Sequence, residues 1–368
     1  MGAKQALVQD TASNGRGHTR THSGRRSVLV LSLLFACLLV CLVFAAAFGA
    51  VPLSPLDIVK MTLNQVGVAH FTVTWPDSAE TILFHIRLPR VTAAAFVGAA
   101  LAAAGVLFQG LLRNPMADPY IIGTSAGAAF GATLAMMLPV SLAFAGFGLV
   151  PVAAFLGAMG AVLLVYNVAR VGGKTPIVSM LLAGFAVSAM LAAAMSLLIT
   201  LSDRLQLRLH SVFSFLMGGI AVSDWSQLAV LVPLIIAGIV AARFFAFRLN
   251  AFSLGEEGAA YLGIEVERDK LLILGVGSLL TGAAVSMSGL IGFVGLMVPH
   301  AVRMVLGPDH RLLLPASALV GAGFLVLADL LARVVIAPEE MPVGIITALI
   351  GAPFFIYLLR RTGREYAF

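Results

Sequence analysis

Several stretches of the chain hold residue types that could bind a nucleotide, a metal ion or a proton. Gly172-Gly173-Lys174-Thr175 looks like the end of a phosphate-binding loop. That loop needs a glycine five residues before Gly173, where Val168 stands, and a preceding strand. Gly289, Gly292 and Gly295 are wrongly spaced for a dinucleotide fingerprint and lie in an apolar run. His300, next to Pro299, and His310 read as ordinary interfacial residues at the cytoplasmic edge, and His210 as a lone loop histidine. No HExxH, CxxC or clustered His–carboxylate set offers metal ligands. Asp329 is the one clear acid inside an apolar run. It lies four residues before Arg333, the spacing of a helical ion pair, with a proton relay as the alternative. Cys37 and Cys41, one helical turn apart, are poorly placed for a disulfide. On this reading the chain has no catalytic residues, no metal site and no bound cofactor.

What holds these residues is a membrane bundle. The chain is 60% hydrophobic and 11% charged, with a mean hydropathy of +1.02; a soluble domain is about 45–50% apolar and about 25% charged. Its 368 residues could not cover their own surface in water, so the bilayer must be the solvent. Residues 1–27 are polar and basic (Lys4, Arg16, Arg20, Arg25, Arg26) and are expected to be a disordered cytoplasmic tail. Residues 28–50 form an unbroken apolar run, longer than the ~7–15 residues of a signal core, and read as a retained first span. Residues 51–79 form a polar loop with an amphipathic piece near 56–65, and a second span covers 80–112. Breaks at 113–119, 139–148, 170–176, 202–224, 248–270, 288–292, 307–311 and 337–342 leave eight further segments. Those at 120–138, 289–306 and 343–359 are short and Gly-rich or Pro-interrupted. Such helices are tolerated where protein or a water-filled path satisfies the loosened backbone.

The fold class is therefore an all-α integral membrane protein with about ten transmembrane helices over residues 28–361 and a short cytoplasmic tail at 362–368. The net charge of +6 is scattered in short clusters between apolar runs, which argues against nucleic acid as a partner. With the N-terminus inside, only Lys60, Arg87, Arg90, Arg204, Arg208 and Arg333 of the 23 basic residues fall outside. That asymmetry is what the positive-inside rule expects, and it places both termini in the cytoplasm. Ala94, Gly98 and Ala102 share one helix face, as do Gly123, Gly127 and Gly131, and Gly184, Ser188 and Ala192. Small residues at this spacing let membrane helices approach closely.

An ordered set of motifs then resembles one family. It comprises Arg87-Leu88-Pro89-Arg90, Gln109-Gly110, Arg113-Asn114-Pro115-Met116-Ala117-Asp118-Pro119 and Gly123-Thr124-Ser125-Ala126-Gly127. It continues with Leu254-Gly255-Glu256-Glu257 to Leu262-Gly263, the run from Gly289 to Leu296 with Pro299-His300, Ala328-Asp329 to Arg333, Pro342-Val343-Gly344 and Gly351-Ala352-Pro353. These are similar to the type II ABC importer permeases for iron chelates and vitamin B12, a family that includes haem and ferric-siderophore permeases and has a ten-helix fold.

The resemblance implies a permease in the cytoplasmic membrane that translocates a chelate by alternating access as a homodimer, surrounded by membrane lipid. It further implies two ATP-binding-cassette ATPase subunits, which hold the ATP and magnesium, and an extracytoplasmic substrate-binding protein. Leu254, Gly255, Glu256, Glu257, Leu262 and Gly263, within a short coupling helix at about 254–263, would dock into the ATPase. Arg87, Arg90 and Arg333 would receive carboxylates of the binding protein, a task suited to a planar, permanently charged guanidinium. Asn114, Pro115, Met116 and Ala117 match an inner gate, with Lys174 and Thr175 as a second constriction. A ferric siderophore is the first-ranked cargo, with vitamin B12 and haem next. A proton-coupled carrier, driven through Asp329, is the alternative from another class.

Overall fold

The computed structural model of the chain describes residues 3–49, 53–139, 143, 144, 146–222 and 224–362. Each of the ten apolar segments is a helix. They are numbered here α1 (Ala3–Ala47), α2 (Leu88–Leu111), α3 (Thr124–Met137), α4 (Leu149–Ala169), α5 (Ile177–Leu201), α6 (Trp225–Phe244), α7 (Val266–Ser288), α8 (Val294–Leu306), α9 (His310–Val334) and α10 (Val343–Thr362). Among the described residues, seven helical runs are long and apolar enough to cross a membrane. Of the three segments expected to be short, α3 has 14 residues and α8 has 13; α10 has 20 and carries Pro353 inside it.

The amphipathic piece before the second span is the helix Pro55–Gln65. The second span itself starts two residues early, at Ser78, and includes a π-helical stretch, Ile82–Arg87, before α2. Pro89 has no N–H to return to the preceding turn, and the backbone widens beside it. Helix α1 begins at Ala3, within the segment expected to be a cytoplasmic tail. Once a span is helical, each added residue gains a hydrogen bond without a new nucleation step. The expected C-terminal tail beyond Thr362 lies outside the described residues.

α2 is the axis of the bundle, with α9, α7, α8 and α6 packed around it. The α3, α4 and α5 helices form a second group joined to the first where α4 meets α7, and α1 lies against α9. Two of the three small-residue faces explain this packing. A methyl group at Gly98 would run into the Gly321 carbonyl of α9, and one at Gly105 into the Gly295 carbonyl of α8. Gly127 and Gly131 press in the same way against Gly157 and Ala153 of α4. A methyl group at Gly184 would lie only 2.6 Å from the Ile121 carbonyl, but Ala192, on the same stripe, is exposed. Gly123 serves a different purpose: its φ of +85° turns the chain into α3.

Candidate functional site

The bundle has two ends, and the candidate residues divide between them. At one end α1 stops at Ala47, α2 starts and α9 finishes. The last carbonyls of a helix have no partner within it, and the Arg87 guanidinium takes two of them, the Ala46 oxygen at 2.9 Å and the Ala47 oxygen at 3.1 Å. Arg333 donates to the Ala45 oxygen at 3.2 Å and to Asp329 at 3.0 Å. Positive charge here also suits the negative end of the helix dipole. Asp329 is fully buried and shared: its second oxygen accepts from Arg90 at 3.0 Å. The i, i+4 ion pair read from the sequence is present.

This geometry qualifies the expectation for the three arginines. Arg87 and Arg333 are only 6% and 8% exposed, held by backbone and Asp329, and do not stand free at a surface. Arg90 alone reaches outward, where it also pairs with the exposed carboxylate of Glu340 at 2.7 Å. That pair sits on the rim of a cavity of about 730 Å³, also lined by His210, Ser214, Ser288 and Met341. The 202–224 connection, read as part of an outer mouth, supplies much of the wall through the helix Leu209–Met217.

The opposite end carries the other candidates. The coupling segment folds as the helix Glu256–Tyr261, bracketed by Gly255 at φ +96° and Gly263 at φ +79°, both conformations that favour glycine. Leu254, Tyr261 and Leu262 are exposed at 68%, 91% and 55%, while Ala259 is buried beneath them. Tyr261 was not singled out from the sequence, although it is the most exposed large side chain of the segment. The two glutamates diverge. Glu257 faces solvent and makes no ion pair among the described residues. Glu256 turns inward to the Lys270 ammonium at 2.8 Å.

Below this helix, Arg248 pairs with Asp269 at 3.1 Å. Asn250 bridges to the Asp309 carboxylate at 2.7 Å and to the His310 ring at 2.7 Å. Burial raises the Asp309 pKa, but the Arg311 amide and the Asn250 side chain outweigh it and hold the carboxyl below its ordinary value. His310 is more than an ordinary edge residue: it is 6% exposed and braces the start of α9 against the chain leading to the Glu256–Tyr261 helix.

The gate candidates are placed as follows. Asn114 and Pro115 are exposed, Met116 is half-buried and Ala117 is buried. Asn114 closes its own loop by accepting from the Met116 amide at 2.9 Å. Arg113, at φ +50°, leads into this loop, and its guanidinium lies alongside Gly255. Gly172 and Gly173, at φ +58° and +80°, form a tight turn in which Val171 and Lys174 exchange backbone hydrogen bonds. The resemblance to a phosphate-binding loop is thus a two-residue turn joining two membrane helices. Lys174 is exposed; Thr175 is fully buried and gives both its amide and hydroxyl to Glu267, at 2.9 and 2.8 Å.

Between the two ends, the chain from Gly289 to Gly292 is unwound. Its backbone is satisfied by protein, as membrane depth requires. The Tyr120 hydroxyl donates to the Ile291 carbonyl at 3.0 Å and accepts from the Ile291 amide at 3.2 Å. The Leu290 amide donates to the Phe215 carbonyl at 3.0 Å. Gln109 donates to the Leu296 carbonyl at 3.1 Å, in the first turn of α8. Tyr120 was missed because a tyrosine at a helix start carries no sequence signal of a partner far along the chain.

Known proteins resemble the chain over most of its length. The FecCD transport family profile matches residues 37–361. The Halobacterium salinarum cobalamin import system permease BtuC is 47% identical over 312 residues, 85% of this chain and 80% of its own length. The Yersinia pestis hemin transport permease HmuU is 40% identical over 338 residues, 90% of this chain and 96% of its own. A solved metal-chelate-type ABC transporter in an inward-facing conformation superposes with a TM-score of 0.76 at 33% identity, covering 90% of this chain and 99% of that one. The chain belongs to the FecCD transport family and is a multi-pass permease of an ABC importer in the cell membrane.

Proposed function

We propose that the chain, paired with a second copy, carries a bulky metal chelate into the cytoplasm by alternating access. The observation that carries this reading is the 730 Å³ cavity at one end together with the glycine-bracketed helix at the other. The cavity is large enough for a chelate and has no tight cluster of ligands to trap one. The exposed Leu254, Tyr261, Leu262 and Glu257 give a partner ATPase an apolar and acidic tip to seat. ATP and magnesium belong to that partner, which is needed twice, once per copy. The exposed apolar side chains of α5 and α10, Phe185, Leu197, Leu349 and Ile356 among them, suit lipid and a second copy alike.

A substrate-binding protein would meet Arg90 first, displacing Glu340 from a carboxylate-binding guanidinium. Arg87 and Arg333 would join only after leaving the carbonyls of α1. Asn114 to Ala117, and Lys174 with Thr175, would close the cytoplasmic side. A ferric siderophore is the first cargo to test, since hydroxyl, imidazole and ion-paired groups ring the cavity and match an oxygen-rich chelate. A second reading, cobalamin, is favoured by the 47% identity to the Halobacterium permease.

The test is uptake of labelled ferric siderophore, cobalamin and haem in a strain deleted for the chain, with and without the chain restored. Return of iron uptake alone supports the first reading, and return of cobalamin uptake alone replaces it with the second. No dependence of any of the three on the chain would sink the chelate assignment.

A further inference from the structure

Lys270 stands in the first turn of α7 and is 2% exposed. An ammonium has three N–H donors and no acceptor, and here each donor has a partner from a different part of the chain. Glu267, on the same helix, accepts at 3.0 Å. Glu256 of the docking helix accepts at 2.8 Å. The Thr175 carbonyl, beside the tight turn between α4 and α5, accepts at 3.1 Å. Glu267 completes the assembly, because its other oxygen takes both the Thr175 amide and hydroxyl. Thr175 is therefore held at three atoms, and the docking helix and the turn share one buried charge.

A lysine needing only a counter-charge would be served by Glu267, three residues away. The two remaining bonds reach segments that nothing else polar joins to each other among the described residues. The docking helix is set between two glycines at positive φ, and Glu256 is its one ion-paired side chain among the described residues. A displacement of that helix must either break the Glu256–Lys270 bond or be passed to Thr175 and on to the start of α5. Breaking it would leave a buried ammonium short of a partner, which is costly. The cheaper course is for both segments to move together.

We propose that Lys270 is the positioning residue that transmits movement of the docking helix to the Val171–Lys174 turn and α5. This rests on the reading of Glu256–Tyr261 as the ATPase-docking helix. Lys270 itself is only 2% exposed, beneath the helix that would dock, so its loss should spare ATPase recruitment.

The experiment uses the full permease in proteoliposomes with its ATPase and binding protein, in a Cys37→Ser/Cys41→Ser background with Val171→Cys as reporter. It reads ATPase association, cargo moved per ATP hydrolysed, and the ATP-dependent change in maleimide labelling of the reporter. With Lys270→Met, ATPase association should persist, cargo per ATP should fall by about tenfold, within the usual range of coupling between sites, and the reporter should lose its response to ATP. Lys270→Arg should restore most of both readouts. If Lys270→Met fails to fold, Glu267→Gln is the milder variant and should give a severalfold loss of the same two readouts. Wild-type cargo yield and reporter response in whichever variant folds would overturn the tether. If the unmutated permease recruits no ATPase, or Glu257→Arg recruits it undiminished, the docking reading itself falls, and the tether with it.

Discussion

Both ends of the bundle bury basic side chains, but they satisfy them with different kinds of partner. At one end Arg87 and Arg333 finish on the last carbonyls of α1, and Asp329 sits between Arg90 and Arg333 on two long, closely packed helices. At the other, Lys270 finishes on a six-residue helix between two glycines and on a threonine beside a two-residue turn. Each arrangement meets the same requirement, that a buried charge be paired. The first fixes three helices against one another. The second joins a short helix and a turn through one buried charge, so the same physics yields a clamp at one end and a bridge between two connecting segments at the other.

The comparison can be broken most directly at the clamp. Asp329→Ala leaves two guanidinium groups without their shared counter-charge and should cost about 3–5 kcal/mol, read as a large loss of thermal stability in detergent. A loss no greater than that of an exposed ion pair would mean the clamp is not one. Next in size, Gly105→Val forces a branched side chain against the Gly295 carbonyl and should cost about 1–3 kcal/mol, with α2 and α8 pushed apart. Substitution at Gly275, which has open space around its Cβ position, is the control in the same melting assay.

At the opposite end, Glu257→Arg should weaken ATPase association by about tenfold, as an interfacial charge reversal can, while thermal stability stays within about 0.5 kcal/mol. Co-purification at several salt concentrations checks it. Equal effects of Glu257→Arg and Glu256→Arg on stability would erase the distinction drawn here between an outward and an inward glutamate. Smallest is Glu340→Gln, on the exposed rim: about 0–1 kcal/mol in stability, with a measurable change only in binding-protein affinity at low salt.

Much of the frame was legible in the sequence because hydrocarbon demands long apolar helices and leaves few alternatives. The ten segments, the shortness of α3 and α8, and the short glycine-flanked helix at 256–261 all follow from runs and breaks. The Asp329–Arg333 pair was legible because helical spacing alone brings the two together. The rest depended on tertiary folding. Lys270 reads as one more basic residue at a membrane edge until the fold brings Glu256 and Thr175 to it. Arg87 reads as a surface guanidinium until the end of α1 is placed over it. His310 beside Asn250, and Tyr120 beside Ile291, are likewise pairs made by segments far apart in the chain, which no local period records.

The most direct test of the account is uptake by the reconstituted permease, ATPase and binding protein, with ATP and a protonophore varied independently. The account predicts cargo uptake that requires ATP and continues with the proton gradient collapsed. Uptake that fails with protonophore while ATP is present, and that also fails in Asp329→Asn protein which remains folded, would contradict it and make the chain a proton-driven carrier.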